Sequence, residues 1–132
     1  MSLPIIRYEF PNSSLEIGSF LHLVASVWPS EYDAKRAAAA LAQTSNFSAW
    51  SGDQLVGCVR LLTDGYFFST ITEILVHPDF QGRDIGRKLM EMAWEASPSS
   101  LGFGVQPGKE GFFEKLGFEK GLSFYQKRKS RN

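Results

Sequence analysis

Two glycines and a group of basic side chains lie where a predicted strand gives way to a helix. Pro78 ends the strand, and Gly82 and Gly86 follow in the turn and the helix start. The first turn of a helix leaves backbone N–H groups unpaired and carries partial positive charge, so it suits a phosphate group. Glycine lets such a ligand approach the backbone closely. The spacing predicts an anion-binding turn, supported by cationic side chains that can reach a phosphate: Arg83, Arg87 and Lys88.

The spacing of apolar residues predicts the elements that hold this turn in place. Strands are predicted at residues 5–10, 46–50, 54–63, 67–77, 101–105 and 122–127. Helices are predicted from a cap at Ser13 or Ser14 to Val27, and over residues 32–43, 85–96 and 109–116. A helix that joins two strands of one sheet implies parallel pairing, whereas the earlier hairpins are antiparallel. The sheet should therefore be mixed.

Composition narrows the classes of partner and compartment. The chain has 132 residues, which predicts one domain over residues 1–132. Basic and acidic residues number 14 each, so no general attraction to nucleic acid or to an anionic membrane is expected. The one cysteine, Cys58, cannot form an intrachain disulfide or a cysteine-based zinc site. No apolar run is long enough to span a membrane and no secretion signal is evident, so we expect a cytoplasmic protein.

The turn resembles motif A of the GNAT superfamily of N-acetyltransferases, in which a strand ending in Val-x-Pro is followed by [Gln or Arg]-x-x-Gly-x-[Gly or Ala]. Gln81 and Gly86 match, whereas Asp84 stands where the family usually has glycine. Residues 112–118, Phe-Phe-Glu-Lys-Leu-Gly-Phe, are similar to the family's Phe-Tyr-Glu-Lys-Leu-Gly-Phe signature. The resemblance implies an α/β (α+β) fold, with a mixed, largely antiparallel central sheet, a splayed parallel strand pair and about four flanking helices.

The resemblance also implies acetyl-CoA as cosubstrate and no metal. The pantetheine arm would lie between the two splayed strands, and the pyrophosphate would lie on the N–H groups of residues 82–87. The residues that this predicts as the cofactor site are Leu75, Val76, Gln81, Gly82, Arg83, Asp84, Ile85, Gly86, Arg87, Phe112 and Phe113. The Asp84 carboxylate would repel the pyrophosphate if it pointed inward. We expect it instead to point outward and cap the helix.

The implied reaction is direct transfer of an acetyl group to a primary amine, which needs a base to take a proton from the ammonium. Glu73 is the candidate base, and the alternative is a strand glutamate that faces solvent or pairs with Arg60. Phe113 stands where the family has a tyrosine that acts as the general acid for the departing thiolate. Either the thiolate leaves unassisted, or Tyr66, Tyr125 or water substitutes, or activity is low.

Cys58 inside a strand is interpreted as a small buried hydrophobe rather than an acyl-carrying nucleophile. His22 and His77 lie on a helix and at a strand end, and they make no metal pair. The two histidines are therefore assigned no chemical role.

The family builds its amine pocket from the first two helices and the later strand loops, which here carry Trp28, Tyr32, Tyr66 and Phe67. These rings suit an aromatic or alkyl amine, and residues 64–88 are similar, more weakly, to the arylalkylamine-type branch. Two other readings remain: a CoA-binding module without turnover, and acetylation of a protein lysine or N-terminus. The apolar side chains near the end of the chain predict a homodimer contact: Leu122, Phe124 and Tyr125.

Overall fold

The computed structural model describes residues 5–11 and 15–131. Five strands form one sheet in the order β1 (Ile6–Glu9), β2 (Ser45–Ser51), β3 (Gln54–Thr63), β4 (Ser69–Val76) and β5 (Leu101–Gly102). The α-helices are α1 (Ile17–Val27), α2 (Ala34–Leu41), α3 (Ile85–Ala96) and α4 (Glu110–Lys115), and a single 3₁₀ turn covers Pro78–Phe80. Strands β1 to β4 pair antiparallel, and β4 and β5 pair parallel. The predicted mixed sheet with about four helices is confirmed.

Acidic side chains begin the first two helices. Glu16 accepts hydrogen bonds from the backbone N–H groups of Gly18 and Ser19 at 2.7 and 2.8 Å, so it caps α1. The predicted caps, Ser13 and Ser14, lie outside the described residues. Asp33 caps α2 by accepting from the N–H of Arg36 at 2.9 Å. Helix α2 is therefore shorter than the predicted span of residues 32–43.

The two faces of the sheet carry separate cores. Ile85 and Leu89 of α3 pack on one face, against residues that include Phe47 and Val59, and Leu23 of α1 packs on the other. Each such buried side chain stabilises the fold by roughly 1.5–3 kcal/mol. Alternation along β4 divides its side chains between the two cores. Leu75 packs with α1, whereas Ile74 and Val76 pack on the α3 side.

Helix α3 lies unusually close to β3 because Gly57 has no side chain. A Cβ at Gly57 would stand 2.9 Å from Cγ2 of Ile85 and 3.0 Å from Cδ1 of Leu89. Real Cβ atoms essentially never approach other atoms closer than 3.0 Å, so a larger residue at position 57 would force the Ile85 side chain or the helix to shift. Gly57 thereby sets the distance between the sheet and the start of α3.

The predicted last strand, at residues 122–127, is wrong. That segment has no regular structure, and Leu122 and Tyr125 are 100% and 90% exposed. A strand requires a neighbour that offers a row of free backbone groups, but β5 contains only two residues instead of the predicted five, 101–105. Phe124 nevertheless contacts the chain after β5, with its ring about 3.5 Å from the place of a Cβ on Gly104.

Within the described residues, no helix is long and apolar enough to cross a membrane.

Candidate functional site

Strands β4 and β5 separate soon after they meet. Their register joins only Ser69 to Leu101 and Thr70 to Gly102. Beyond Thr70, in the described part of the chain, the edge of β4 that faces β5 has no strand partner. Such an edge presents unpaired N–H and C=O groups to any extended ligand. The predicted splayed parallel pair is confirmed, and it leaves a gap lined by backbone.

The alternation of an antiparallel ladder decides which residues of β4 face this gap. The N–H of His77 donates to the carbonyl of Val56 on β3 at 2.8 Å, so the backbone groups of His77, Leu75 and Glu73 point toward β3. Those of Ile74 and Val76 point toward the gap. Leu75, which the sequence analysis placed in the cofactor site, is 1% exposed and packs under α1. Ile74 was missed, although its position two residues before Val76 was a usable signal.

Gln81 ties the turn to the end of β4. Its side-chain Nε2 donates to the carbonyl oxygen of Val76 at 3.1 Å. Gln81 therefore holds the turn against the strand edge, and the backbone N–H of Val76 remains directed toward the gap.

The turn and the start of α3 leave several backbone donors free. Gly82 has a φ of +78°, which suits glycine. The first intrahelical bond runs from the N–H of Lys88 to the carbonyl of Asp84 at 3.0 Å. The N–H groups of Ile85, Gly86 and Arg87 precede that bond and have no acceptor within the helix. Together with the helix dipole, these groups suit a bound anion, as the sequence predicts for this turn.

Asp84 stands at the N-cap position but does not cap the helix, so that expectation is wrong. Its side chain makes no capping hydrogen bond, because its φ of +63° is left-handed and capping requires an extended residue. The carboxylate points outward: it is 76% exposed and lies 3.6 Å from a guanidinium nitrogen of Arg87. The left-handed backbone also explains why glycine suits this position.

The basic side chains of the turn already have neighbours. The guanidinium of Arg83 lies over the ring of Phe80, 5.1 Å from its centre. Arg87 bonds Glu91 at 2.6 Å and lies near Asp84. The hydrogen bonds that Arg87 donates to the Glu91 and Asp84 carboxylates hold its pKa above its usual value. Because both arginines are exposed, they can turn toward a phosphate at small cost.

The two phenylalanines of α4 have different surroundings. Phe112 is 40% exposed, and its Cζ would stand 3.2 Å from a Cβ on Gly86. Phe113 packs against Phe103, with the ring centres 5.0 Å apart, and joins the core on the α3 side. Phe112 therefore lies against the start of α3, and Gly86 makes room for its ring as well as for a ligand.

A cavity of about 630 Å³ lies on the other face of the sheet, between α1, α2 and β4. Trp28 and Tyr32 line it, as predicted for the acceptor pocket, and Phe20 extends the apolar wall. Tyr66 and Phe67 do not line it. They are 75% and 84% exposed, and their rings contact each other at 4.7 Å on the turn between β3 and β4.

Glu73 lies at the floor of this cavity and forms an ion pair with Arg60. Its Oε1 accepts from Nη1 of Arg60 at 2.6 Å, and Oε2 accepts from the same nitrogen at 3.2 Å and from Thr72 Oγ1 at 2.5 Å. The two side chains are only 15% and 16% exposed. The predicted alternative, pairing with Arg60 across the sheet, is what the structure contains. The same carboxylate faces the cavity, so pairing and proton transfer are compatible.

Cys58 is the other candidate reactive group, and it is more deeply buried than Glu73. Cys58 is 1% exposed, and burial, followed by the charge of Glu73, raises the pKa of its thiol to about 12. It is a buried hydrophobe, as the sequence indicated, and not a nucleophile. In the ranges 5–11 and 15–131, no three metal-binding side chains converge. The residues of the cavity wall that were missed include two arginines, Arg36 and Arg131.

Comparison with known proteins places these features in a family. Residues 43–120 match the family model of the acetyltransferase (GNAT) domain. An uncharacterised N-acetyltransferase, ycf52, of Pyropia yezoensis is 34% identical over 74 residues, which are 53% of this chain and 42% of that protein. The ycf52 protein of Porphyra purpurea is 35% identical over the same length. The chain thus spans less than half of the length of these curated relatives.

Solved structures share the fold at low identity. A GNAT-family acetyltransferase of Streptococcus pneumoniae superposes with a TM-score of 0.77 at 22% identity, covering 94% of this chain and 100% of that one. The aminoglycoside acetyltransferase AAC(6')-Iy, in complex with the bisubstrate analogue CoA-S-monomethyl-acetylneamine, gives 0.70 at 17% identity, covering 94% and 99%. The matched domain runs from the end of α2 to just beyond α4 and includes both sequence motifs. The chain therefore belongs to the GNAT acetyltransferase family, as its two sequence motifs indicated.

Proposed function

We propose that this chain is an acetyl-CoA-dependent N-acetyltransferase that transfers the acetyl group directly to a small primary amine. The observation that carries the proposal is that β4 borders both the open gap and the cavity. The backbone groups of Ile74 and Val76 on this strand face the open gap, while Glu73 on the same strand faces the cavity. A cosubstrate in the gap and an acceptor in the cavity would therefore meet at one strand.

The residues present fit acetyl-CoA. An amide-containing arm can continue the sheet at the free edge of β4, bonding to Ile74 and Val76. The unpaired N–H groups of residues 85–87 suit a pyrophosphate. Asp84 keeps its carboxylate outward, so it does not occupy that position. When bound, acetyl-CoA supplies an acyl group that is activated as a thioester.

Glu73 is the proposed base. Glu73 takes a proton from the ammonium, directly or through a water, and releases it to solvent. The neutral nitrogen then attacks the thioester carbonyl carbon, the adduct loses its second nitrogen-bound proton to solvent, and the C–S bond breaks to release the thiolate. Hydrogen bonds from Arg60 and Thr72 fix the carboxylate in one orientation. A fixed orientation reduces the reorganisation needed for proton transfer.

None of Tyr32, Tyr66 and Tyr125 offers a free phenol at the cavity. Phe113 carries no proton, and neither Tyr66 nor Tyr125 is among the described residues that line the cavity. Tyr32 does line it, but its hydroxyl donates to the carbonyl of Trp28 at 2.6 Å. We infer that the thiolate leaves unassisted and is protonated by solvent, which is reasonable for a thiol with a pKa of about 8.5.

Direct transfer is favoured because Cys58 is buried with a raised pKa. The complex of AAC(6')-Iy with an analogue that joins CoA to acetylneamine supports a small amine as acceptor. The lone cysteine is compatible with a reducing compartment such as the cytoplasm, where we propose that the enzyme acts. The exposed Leu122 and Tyr125 support a homodimer contact, which light scattering at working concentration can measure.

The test combines turnover with a search for an acyl-enzyme. We expect release of free thiol, and an N-acetylated product by mass spectrometry, with at least one member of a primary amine panel. Incubation with acetyl-CoA alone should leave the protein mass unchanged, and Cys58→Ala should keep the turnover. A covalent acetyl adduct that forms and is consumed by amine would contradict direct transfer. Binding of acetyl-CoA without turnover of any amine would favour a binding module, which the missing phenol at position 113 also fits.

A further inference from the structure

Two arginines meet at the rim of the acceptor cavity. Arg36 on α2 donates from Nη1 to the backbone carbonyl of Arg131 at 2.9 Å. The guanidinium of Arg131 lies over the ring of Tyr32, 5.3 Å from its centre. Both arginines and Tyr32 line the cavity that contains Glu73. The segment after α4, although it lacks regular structure, thus returns across the fold and completes the cavity wall.

The charges in the cavity wall are unequally paired. Arg60 and Glu73 neutralise each other, and Asp33 is engaged in capping α2. Neither Arg36 nor Arg131 takes part in an ion pair among the described residues, and Glu31, the remaining carboxylate of the wall, pairs with neither. An anion bound at this rim would be attracted by both guanidinium groups.

The geometry of the two guanidinium groups suits an anion. Stacking on Tyr32 holds one face of Arg131 and leaves its N–H edge free to donate. Arg36 uses one N–H on the carbonyl of Arg131, and a guanidinium has five N–H donors. Paired donors of this kind match the oxygens of carboxylates and phosphates. At the floor of the same cavity, Glu73 suits a positively charged or proton-donating amine.

We propose that the amine acceptor also carries an anionic group, a carboxylate or a phosphate, which Arg36 and Arg131 bind while the amine faces Glu73. This inference rests on the proposed function and names its substrate class. Arg131 and Arg36 then determine specificity, whereas Glu73 carries the chemistry. An amine without the anion lacks the rim contact and enters the cavity with lower affinity.

The test compares acceptors that differ only in the anion. ω-Amino acids, from glycine to 6-aminohexanoate, are assayed against n-alkylamines of equal chain length, and O-phosphoethanolamine is assayed against ethanolamine. At the chain length that fits, we expect kcat/KM to favour the anionic member by about tenfold to a hundredfold, the usual worth of a hydrogen bond to a charged group. The carboxylate pairs and the phosphate pair distinguish the two sources of the anion.

Three variants assign the preference to the two arginines. Arg131→Gln removes one guanidinium, and Arg36→Gln removes the other together with the bond to the Arg131 carbonyl. Each should raise KM for the anionic amine about tenfold and leave kcat and the KM for acetyl-CoA nearly unchanged. Arg128→Gln is the matched control, because Arg128 is an exposed arginine of the same segment that does not line the cavity. It should behave as wild type.

Binding gives a second readout that does not need turnover. Hexanoate carries the carboxylate but no amine, so it should inhibit competitively against the amine and raise the melting temperature, and Arg131→Gln should abolish both effects. Equal use of alkylamines and amino acids, or a preference that survives both glutamine variants, overturns the proposal and leaves the acetyltransferase function standing. If no amine of either kind is acetylated while acetyl-CoA binds, the proposed function itself fails. Hexanoate binding that is unchanged in Arg131→Gln would then also refute the anion site.

Discussion

Arg60 and Glu73 occupy opposed positions on β3 and β4, and their side chains join Nη1 to Oε1 at 2.6 Å. Arg60 is anchored in turn, because its Nε donates to Thr44 Oγ1 at 3.2 Å. The contact with Thr44 holds the Arg60 guanidinium in place, so the Glu73 carboxylate that it binds cannot rotate freely toward solvent. The proposed base is thus held by the same contact that, in the sequence, was the alternative to its catalytic role.

Replacement of Glu73 tests the base. Glu73→Gln should keep the affinity for acetyl-CoA and lower kcat by about a hundredfold or more. The loss should shrink as pH rises, because alkaline solution deprotonates the amine and makes the enzyme's base dispensable. Pre-steady-state rates from pH 7 to 10 measure this effect.

The matched control for Glu73→Gln is Arg60→Gln, which breaks the ion pair but keeps the carboxylate. Each variant leaves one poorly solvated partner, so each should lower the free energy of unfolding by up to about 3 kcal/mol. Arg60→Gln should slow the chemical step much less than Glu73→Gln does, because it loosens the orientation of the carboxylate but keeps the base. Similar rate losses in both variants would show that the ion pair supports the fold and that Glu73 is no base.

The left-handed backbone at Asp84 gives a paired prediction at equal charge. Asp84→Gly and Asp84→Asn both remove the carboxylate near the anion-binding turn, so both should tighten acetyl-CoA binding several-fold at low salt and less at high salt. Glycine tolerates the φ of +63° better than any side chain. The glycine variant should therefore be about 1 kcal/mol more stable than the asparagine variant in denaturant unfolding. Equal stability would indicate that the backbone relaxes at no cost.

The contact between Gly86 and Phe112 should appear as an energetic coupling. Alanine favours a helix over glycine by about 1 kcal/mol, but a Cβ at position 86 would meet Phe112 Cζ at 3.2 Å. Gly86→Ala should therefore gain little in the wild-type background and about 1 kcal/mol in the Phe112→Ala background. A double-mutant cycle by thermal unfolding measures the difference. Additive effects would mean that the ring moves away freely.

Phe113→Tyr tests the missing acid. Because the thiolate is inferred to leave unassisted, a phenol at this position should raise kcat by roughly tenfold without changing acetyl-CoA affinity. Steady-state kinetics together with calorimetric binding separate the two quantities. An unchanged kcat would mean that the ring, packed against Phe103, does not face the sulfur.

Cys58 links stability to alkaline pH. The pKa of its thiol is raised from 9.0 to about 12, so the folded protein holds this proton more tightly than the unfolded chain. The contribution to stability is full below pH 9 and is lost as pH rises toward 12. Native protein at pH 9.5 should resist alkylation by iodoacetamide, whereas the urea-unfolded chain should react quickly. Cys58→Ala should flatten the alkaline fall in stability.

The sequence predicted the site best where one local rule decided the outcome. The stripe of apolar residues in α3 and the glycine turn before it follow from helix periodicity and backbone geometry, and both were predicted. The role of Asp84 was mistaken, because a residue type that favours capping does not reveal a left-handed φ. Arg131 and Arg36 were missed because 95 positions separate them along the chain. Tyr66 and Phe67 were placed in the pocket because the family resemblance assigns the later strand loops to it. Here a tight turn directs them outward, with Asp64 Oδ1 accepting three backbone N–H groups.

The packing of α3 against β3 at Gly57 influences the position of the proposed anion-binding turn. A Cβ on residue 57 would lie 2.9 Å from Ile85 Cγ2 and 3.0 Å from Leu89 Cδ1, so glycine at this position allows the start of α3 to lie close to β3. The residue at position 57, although it lies outside the proposed cofactor site, should therefore affect where the proposed phosphate-binding turn lies relative to the sheet. Each methyl group added at residue 57 would tend to displace the start of α3 from the sheet. Misalignment of about 1 Å at a reacting centre can cost a hundredfold in rate. Substitution of Gly57 is thus expected to alter the alignment of the proposed cofactor site without changing any residue proposed to bind the cofactor.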